Sequence, residues 1–398
     1  MKVDIESLGT FNKLAHEGAE AATASLMQMT GIDATVDVTK ITLVNREEVG
    51  EELEGRNFAG VQFGFAGALE GETVLLFDAE SVGTITDALM PGMDESMAES
   101  GVKEIGNIMM SGFIDGWADY LEATIDHSPP AYIEGAGSSA IPEPPTDAEY
   151  DQAFVFKSEI EWVGESVNFY IYMLPEYDPL AGLMADHAAN QDDAIPIDKL
   201  GVFNQMTTQG TEKAADNVEM MTGIPTESEV SRISFAPIED VPKQIGDDTY
   251  VGTVVEFTGV PSGFLMVLFD EQSAINVAEA LMPTDPDGEG LTDQHKAAIE
   301  ELGNIMTSGF VDGWANVLQT SVEHTPPKLV HDMGRSIMDP LAAQVGQHQE
   351  HAFIIDSEMK TDEIDFRSEI HALPNEQELR QALEDLEVDR AVEKIFEQ

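Results

Sequence analysis

The chain has no cysteine. That excludes disulfide cross-links, a thiolate nucleophile and any zinc site built on thiolates. Basic residues are scarce too: 19 Lys and Arg stand against 76 Asp and Glu, for a formal net charge of -57. The acidic residues run along all 398 positions rather than forming one tail. Such a surface repels phosphate backbones and anionic bilayers, so neither nucleic acid nor membrane insertion is expected. In molar salt the Debye length shrinks to about 3 Å and self-repulsion is screened. The composition therefore predicts a halophilic protein that weakens in dilute buffer. No apolar run approaches the roughly 18 residues that cross a bilayer. The opening residues MKVDIESLG are acidic where a secretory leader is apolar, which predicts a cytoplasmic location. The nine histidines include no H-E-x-x-H pattern, so no metal site of its own is expected.

What is present is a repeat. Apolar residues make up 42% of the chain, enough to build full cores, and the length suits two domains. Residues 101–130 (GVKEIGNIMMSGFIDGWADYLEATIDHSPP) and 298–327 (AIEELGNIMTSGFVDGWANVLQTSVEHTPP) agree at 16 of 30 positions without a gap. LGTFNKLAHEGAEAA (8–22) returns as LGVFNQMTTQGTEKA (200–214), and TVLLFDAESVGTITDALMP (73–91) as LMVLFDEQSAINVAEALMP (265–283). QAFVFKSEI (152–160) returns as HAFIIDSEM (351–359), each followed by a Leu-Pro pair. Two copies of one domain are expected, 1–188 and 197–398, with a polar linker at 189–196. The offset between copies grows from 192 to 199, which places insertions such as 283–290 in loops.

Each copy reads as an α+β domain. A first helix is expected over 8–30 or 199–222, and a long one over 95–124 or 292–320, ending ahead of the Pro-Pro pair. Alternating stretches at 35–44, 61–67 and 166–174 read as half-buried strands. Their short Gly-containing connections favour an antiparallel sheet packed against the long helices.

On a helical wheel of the long helix, Val102, Met109, Met110, Phe113, Trp117 and Tyr120 form the side that packs on the sheet. Glu104, Asn107, Ile108, Ser111 and Asp115 form the opposite stripe, and Glu301, Asn304, Ile305, Ser308 and Asp312 repeat it. The Glu–Asn pair is thus expected on a wet, convex surface, suited to acting on another protein rather than capturing a small molecule. A single Glu-x-x-Asn is ordinarily a pair of solvated residues. Here the pair occurs twice, with an apolar Ile in the polar stripe and small residues (Gly106, Ser111, Gly112) that permit close approach. His127 and His324, ahead of the Pro-Pro pairs, read as loop or core histidines.

The stretch E-I-G-N-I-M-x-S-G with a downstream Pro-Pro resembles the CheC/CheX/FliY family of chemotaxis proteins, whose pattern is [D/S]-x3-E-x2-N-x22-P. The first copy matches throughout, with Ser100, Glu104, Asn107 and Pro130; the second matches at Glu301, Asn304 and Pro327 but has Ala297 at the Asp/Ser position. The resemblance implies two CheC-like domains in tandem. Relatives often carry a second such pair on the first helix. The corresponding positions here are Asn12 and Ala15, and Asn204 and Thr207, which implies one competent site per domain.

The activity so implied is hydrolysis of the aspartyl phosphate of the response regulator CheY. That partner supplies Mg²⁺ and a Lys, so no cofactor of the chain's own is implied. Asn107 and Asn304 would position the water, and Glu104 and Glu301 would pair with the Lys. Ile108, Ser111, Asp115, Ile305, Ser308 and Asp312 would be partner contacts. A second reading is a non-catalytic adaptor that binds CheD or phosphorylated CheY. PPKLVHDM (326–333) resembles the stretch associated with CheD docking, with Asp332 as the contact and Gly135 at the matching place in the first copy. A third is an unrelated enzyme that binds metal on its acidic surface.

Overall fold

A computed structural model describes residues 2–3, 5–31, 33–45, 48–89, 98–142, 152–164, 167–187, 195–245, 248–282, 290–318, 320–361, 364 and 366–386. The chain separates into two compact units, Lys2–Ala194 and Ile195–Gln398. Most of the expected linker, residues 189–194, lies outside the described residues, as do residues 95–97, the expected start of the first long helix.

The first unit opens on a two-residue strand, β1 (Lys2–Val3), and the helix α1 (Ile5–Thr30). There follow β2 (Ala34–Asn45), β3 (Asn57–Gly67), β4 (Gly71–Asp78), α2 (Val82–Leu89) and the long α3 (Ala98–Tyr120). Then come β5 (Ile125–His127), β6 (Ala131–Ala136), β7 (Gln152–Trp162), β8 (Asn168–Pro175) and α4 (Tyr177–His187). The sheet runs β2-β7-β8-β4-β3, and β5 and β6 both pair with the far side of β3. Every pairing is antiparallel, which suits the short connections.

The second unit repeats the order with β9 (Ile195–Pro196), α5 (Ile197–Thr222), β10 (Glu227–Pro237), β11 (Thr249–Thr258), β12 (Gly263–Asp270), α6 (Glu271–Leu281) and the long α7 (Asp293–Leu318). It continues with β13 (Glu323–His324), β14 (Lys328–Met333), α8 (Gly334–Val345), β15 (His351–Thr361), β16 (Phe366–Pro374) and α9 (Glu376–Asp385). Its sheet runs β10-β15-β16-β12-β11, with β13 and β14 on β11.

One face of each sheet carries the two long helices, which pack around a tryptophan. Trp117 is fully buried, its ring edge-on to Phe156 at 5.2 Å; Trp314 sits 5.3 Å from Phe203 and edge-on to Phe257 at 5.7 Å. Such pairs add about 1 kcal/mol each beyond area burial. The other face is also covered, which the alternating pattern does not reveal. In the first unit Val49, Leu53, Ala140 and Ile141 pack on Val74, Leu76 and Tyr172. In the second, Ile337, Met338 and Leu341 of α8 pack on Met266, Leu268 and Ile354. Strand β8 is consequently buried from Phe169 through Pro175, not half-buried.

The long helices stop earlier than expected, and not because of the Pro-Pro pair. Glu122 adopts a left-handed φ of 49°, and Ala123 N–H donates back to Ala118 O at 3.0 Å, a C-terminal cap that reverses the chain. In α7 the matching bond runs from Thr320 N–H to Ala315 O at 3.1 Å. A short strand then precedes each Pro-Pro. Tyr120, the last residue of α3, is 38% exposed rather than packed on the sheet, because the chain turns away there.

Candidate functional site

The motif residues occupy the exposed face of α3 and α7. Glu104, Asn107 and Asp115 are exposed, and Ile108 and Ser111 half-buried; Glu301 and Asp312 are exposed, and Asn304, Ile305 and Ser308 half-buried. The glycine between Glu and Asn explains how the helix lies so close to the sheet. A Cβ on Gly106 would overlap Val61 of β3, and one on Gly303 would overlap Thr253 of β11. Gly112 likewise faces α1, where an added Cβ would come 2.6 Å from Ser25 Oγ. Gly106 and Gly112 therefore admit the protein's own strand and helix.

The face is not convex in the second domain. Ala297, Glu300, Glu301 and Asn304 line one side of an open depression of about 480 Å³, and His324, Pro326 and Pro327 line the other. The Pro-Pro segment rises beside the helix because β13 pairs with β11, with Thr325 N–H donating to Glu256 O at 2.9 Å.

His324 belongs to this arrangement rather than to a loop or the core. Its Nε2 lies 3.1 Å from Ser308 Oγ and its Nδ1 3.0 Å from Thr325 O. In the first domain His127 Nε2 lies 3.4 Å from Ser111 Oγ and Nδ1 3.1 Å from Ser128 O. The two serines thus have partners within the chain. The signal in the sequence was the identical spacing of twenty residues from Asn to His in both copies.

The remaining candidates lie elsewhere. Asp332 is exposed on β14, five residues beyond Pro327, and its Oδ1 accepts from Met333 N–H at 2.8 Å. It does not line the depression. On the first helices, Asn12 is 1% and Asn204 0% exposed, and Asn12 Nδ2 donates to Thr39 O at 3.3 Å. Ala15 and Thr207 are buried as well. The two motif surroundings differ in charge. Lys103, beside Glu104, pairs with Glu99 at 2.6 Å, whereas Glu300 stands beside Glu301. Among the described residues no group of three or more acidic or His side chains is arranged to hold a metal, and no helix is long and apolar enough to cross a membrane.

The family model for the CheC-like family matches residues 97–134 and 295–331, the two segments that hold motif helix, cap, short strand and Pro-Pro. A Halobacterium salinarum protein named as a candidate CheY-P phosphatase, CheC1, is 34% identical over 186 residues, which cover 46% of this chain and 92% of that protein. The chain belongs to the CheC-like family. Among solved structures, FliY of Thermotoga maritima aligns with 45% of this chain and 94% of its own, at 21% identity and a TM-score of 0.38. A CheC-like superfamily protein from Shewanella aligns with 41% and 97%, at 14% identity and a TM-score of 0.31. The Halobacterium protein matches less than half of this chain, in keeping with the internal repeat.

Proposed function

We propose that this CheC-like protein is a chemotaxis phosphatase acting on an aspartyl-phosphorylated response regulator of the CheY type. The observation that carries the reading is the paired Glu and Asn at i, i+3 on an exposed helix face, present twice and in the second domain beside an open depression. Residues three apart project from one side of a helix, so both can enter one shallow phosphorylation site. The similarity to the Halobacterium protein supports the same substrate.

The chemistry asks little of the enzyme. Water attacks phosphorus, the bond from phosphorus to the aspartyl oxygen breaks, and inorganic phosphate and a free carboxylate result. An acyl phosphate is already activated, so orienting the water suffices. The Asn107 or Asn304 carbonyl accepts a hydrogen bond from that water, while the NH₂ remains free to donate. Glu104 or Glu301 pairs with the partner's Lys and sets the register. The partner's own Mg²⁺ would supply charge neutralisation at the phosphoryl oxygens, so the chain would need no cofactor of its own. Each domain has one such site, a reading supported by the burial of Asn12, Ala15, Asn204 and Thr207 on the first helices. Like its partner, the protein would work in the cytoplasm.

Decay of phosphorylated CheY in molar KCl with Mg²⁺ tests this. Wild type should speed the decay, and Asn107→Ala/Asn304→Ala should abolish the effect while remaining folded. Undiminished activity in the double variant would refute the assignment.

A second role is favoured by one observation: Asp332 stands exposed on the edge strand β14, away from the Glu–Asn pair, where the first domain has Gly135. CheD would dock on the second domain there. Asp332→Ala should abolish capture of CheD and leave phosphatase activity unchanged.

A further inference from the structure

Both domains expose methionine in one place. Met27 (40%) and Met29 (65%) lie in the last turns of α1, and Met220 (81%) and Met221 (40%) in the last turn of α5. These are four of the eight large apolar side chains exposed among the described residues, so the exposure is concentrated rather than scattered. In the register of the repeat, Met29 and Met221 are the same position.

Helix packing puts that position beside the motif. In the first domain a Cβ on Gly116 would come 3.0 Å from Gly18 Cα, and one on Gly112 would come 2.8 Å from Ala21 O, so α1 and α3 run antiparallel. Eight residues onward from Ala21 and eight back from Gly112 is about 12 Å along each axis, which brings Met29 level with Glu104. Ile108 is one turn further along α3 on the same side. In the second domain a Cβ on Gly313 would come 3.0 Å from Gly210 Cα, and one on Gly309 3.4 Å from Ala214 Cα. Seven residues onward, about 10 Å, Met221 comes level with Leu302, between Glu301 and Ile305.

A solvated Met is poorly used on a surface carrying this much charge. Its flexible, polarizable side chain suits contact with irregular apolar surface on another protein, and an apolar patch beside polar residues marks such contacts. In molar salt, charge attraction fades within about 3 Å, so an encounter there cannot be held by the acidic rim alone. We propose that Met29 with Ile108, and Met221 with Ile305, form an apolar pad on which the response regulator seats an apolar side chain as its phosphoryl group meets the Glu–Asn pair. The partner's basic groups around that side chain would face Asp115 and Asp312. This rests on the phosphatase reading.

The test uses the full chain and a CheY receiver domain from the same organism, activated with beryllofluoride, titrated calorimetrically in molar KCl. Met29→Gln/Met221→Gln should raise Kd about tenfold, with an unchanged unfolding midpoint because these side chains are solvated. Met333→Gln, an exposed methionine on β14, should leave Kd unchanged. An unaltered Kd in the Met29/Met221 variant would overturn the pad. Wild-type binding without accelerated phosphate release would overturn the phosphatase and leave the pad standing. No binding by wild type would overturn the pad as well.

Discussion

Ser308 on α7 and His324 on β13 are joined by a contact of 3.1 Å between Oγ and Nε2, which ties the motif helix to the strand that carries the Pro-Pro wall. Thr325 O can only accept, so His324 Nδ1 carries a hydrogen, and the neutral ring offers Nε2 as acceptor to Ser308. Ser308 Oγ also lies 2.8 Å from Asn304 O, and its one hydrogen cannot serve both. The same pair recurs as Ser111 and His127.

On this arrangement His324 positions the wall beside Asn304. In an Asn107→Ala background that isolates the second site, His324→Phe should lower the turnover number about tenfold with KM little changed, since small misplacements weaken orientation catalysis. His324→Gln, whose side-chain oxygen keeps an acceptor towards Ser308, should recover most of the loss. Single-turnover decay of phosphorylated CheY separates the two constants.

Gly303→Ala should destabilise the protein. Alanine in a helix gains about 1 kcal/mol over glycine, but the added methyl would overlap Thr253 in a packed core, at a cost of about 1–3 kcal/mol. The loss should win, and α7 should shift off β11 and take Asn304 with it. Gly83→Ala in α2 meets nothing within 4 Å and should instead raise the melting temperature. Thermal melts of the two variants decide the sign.

A buried ion cluster should give the second domain an alkaline limit. His371 on β16 lies 2.7 Å from Asp356 Oδ1 and 3.0 Å from Glu369 Oε2. Burial alone would push the imidazole down, but hydrogen bonds to the two carboxylates hold its pKa up, at about 9. The raised value means this stabilisation is complete below the unfolded value near 6.5 and disappears as pH rises through about 9. At about 1.4 kcal/mol per unit, roughly 3 kcal/mol is at stake. At the same register the first domain has Tyr172 facing Lys157, which pairs instead with Glu52 at 3.6 Å. Melting between pH 6 and 10 should show a loss in wild type that His371→Tyr/Asp356→Lys removes.

The Lys103 and Glu300 difference should make the two sites unequal. Lys103 places a positive charge beside Glu104, close to where the partner's Lys is expected, so the first site should bind the regulator more weakly at low salt. Lys103→Glu should bring the affinity of the two sites together, and the difference should shrink in molar KCl. Calorimetric titration of single-site variants measures it.

Much of this protein was legible in one dimension because the information was periodic or repeated. The 3.6-residue period sorted Glu104 and Asn107 from Met109, Phe113 and Trp117, since a helix face is set by local geometry alone. Duplication exposed the motif, because independent drift of two copies leaves the constrained positions in common. Tyr120 and the helix ends depart from the periodic pattern without a local signal: a left-handed cap at Glu122, a residue that rarely adopts it, is not announced by composition.

The residue order by itself determined the two-copy plan, the antiparallel α+β elements, the acidic surface and the helix face on which the Glu–Asn pairs stand. Only the tertiary structure decided what faces that side from elsewhere in the chain. His324 reaches Ser308 because β13 hydrogen-bonds to β11, and Met29 stands level with Glu104 because glycines let α1 and α3 touch. The second layer on each sheet arose in the same way, from α8 in one domain and short turns in the other. Contacts between distant segments depend on packing and strand register, which no local period records.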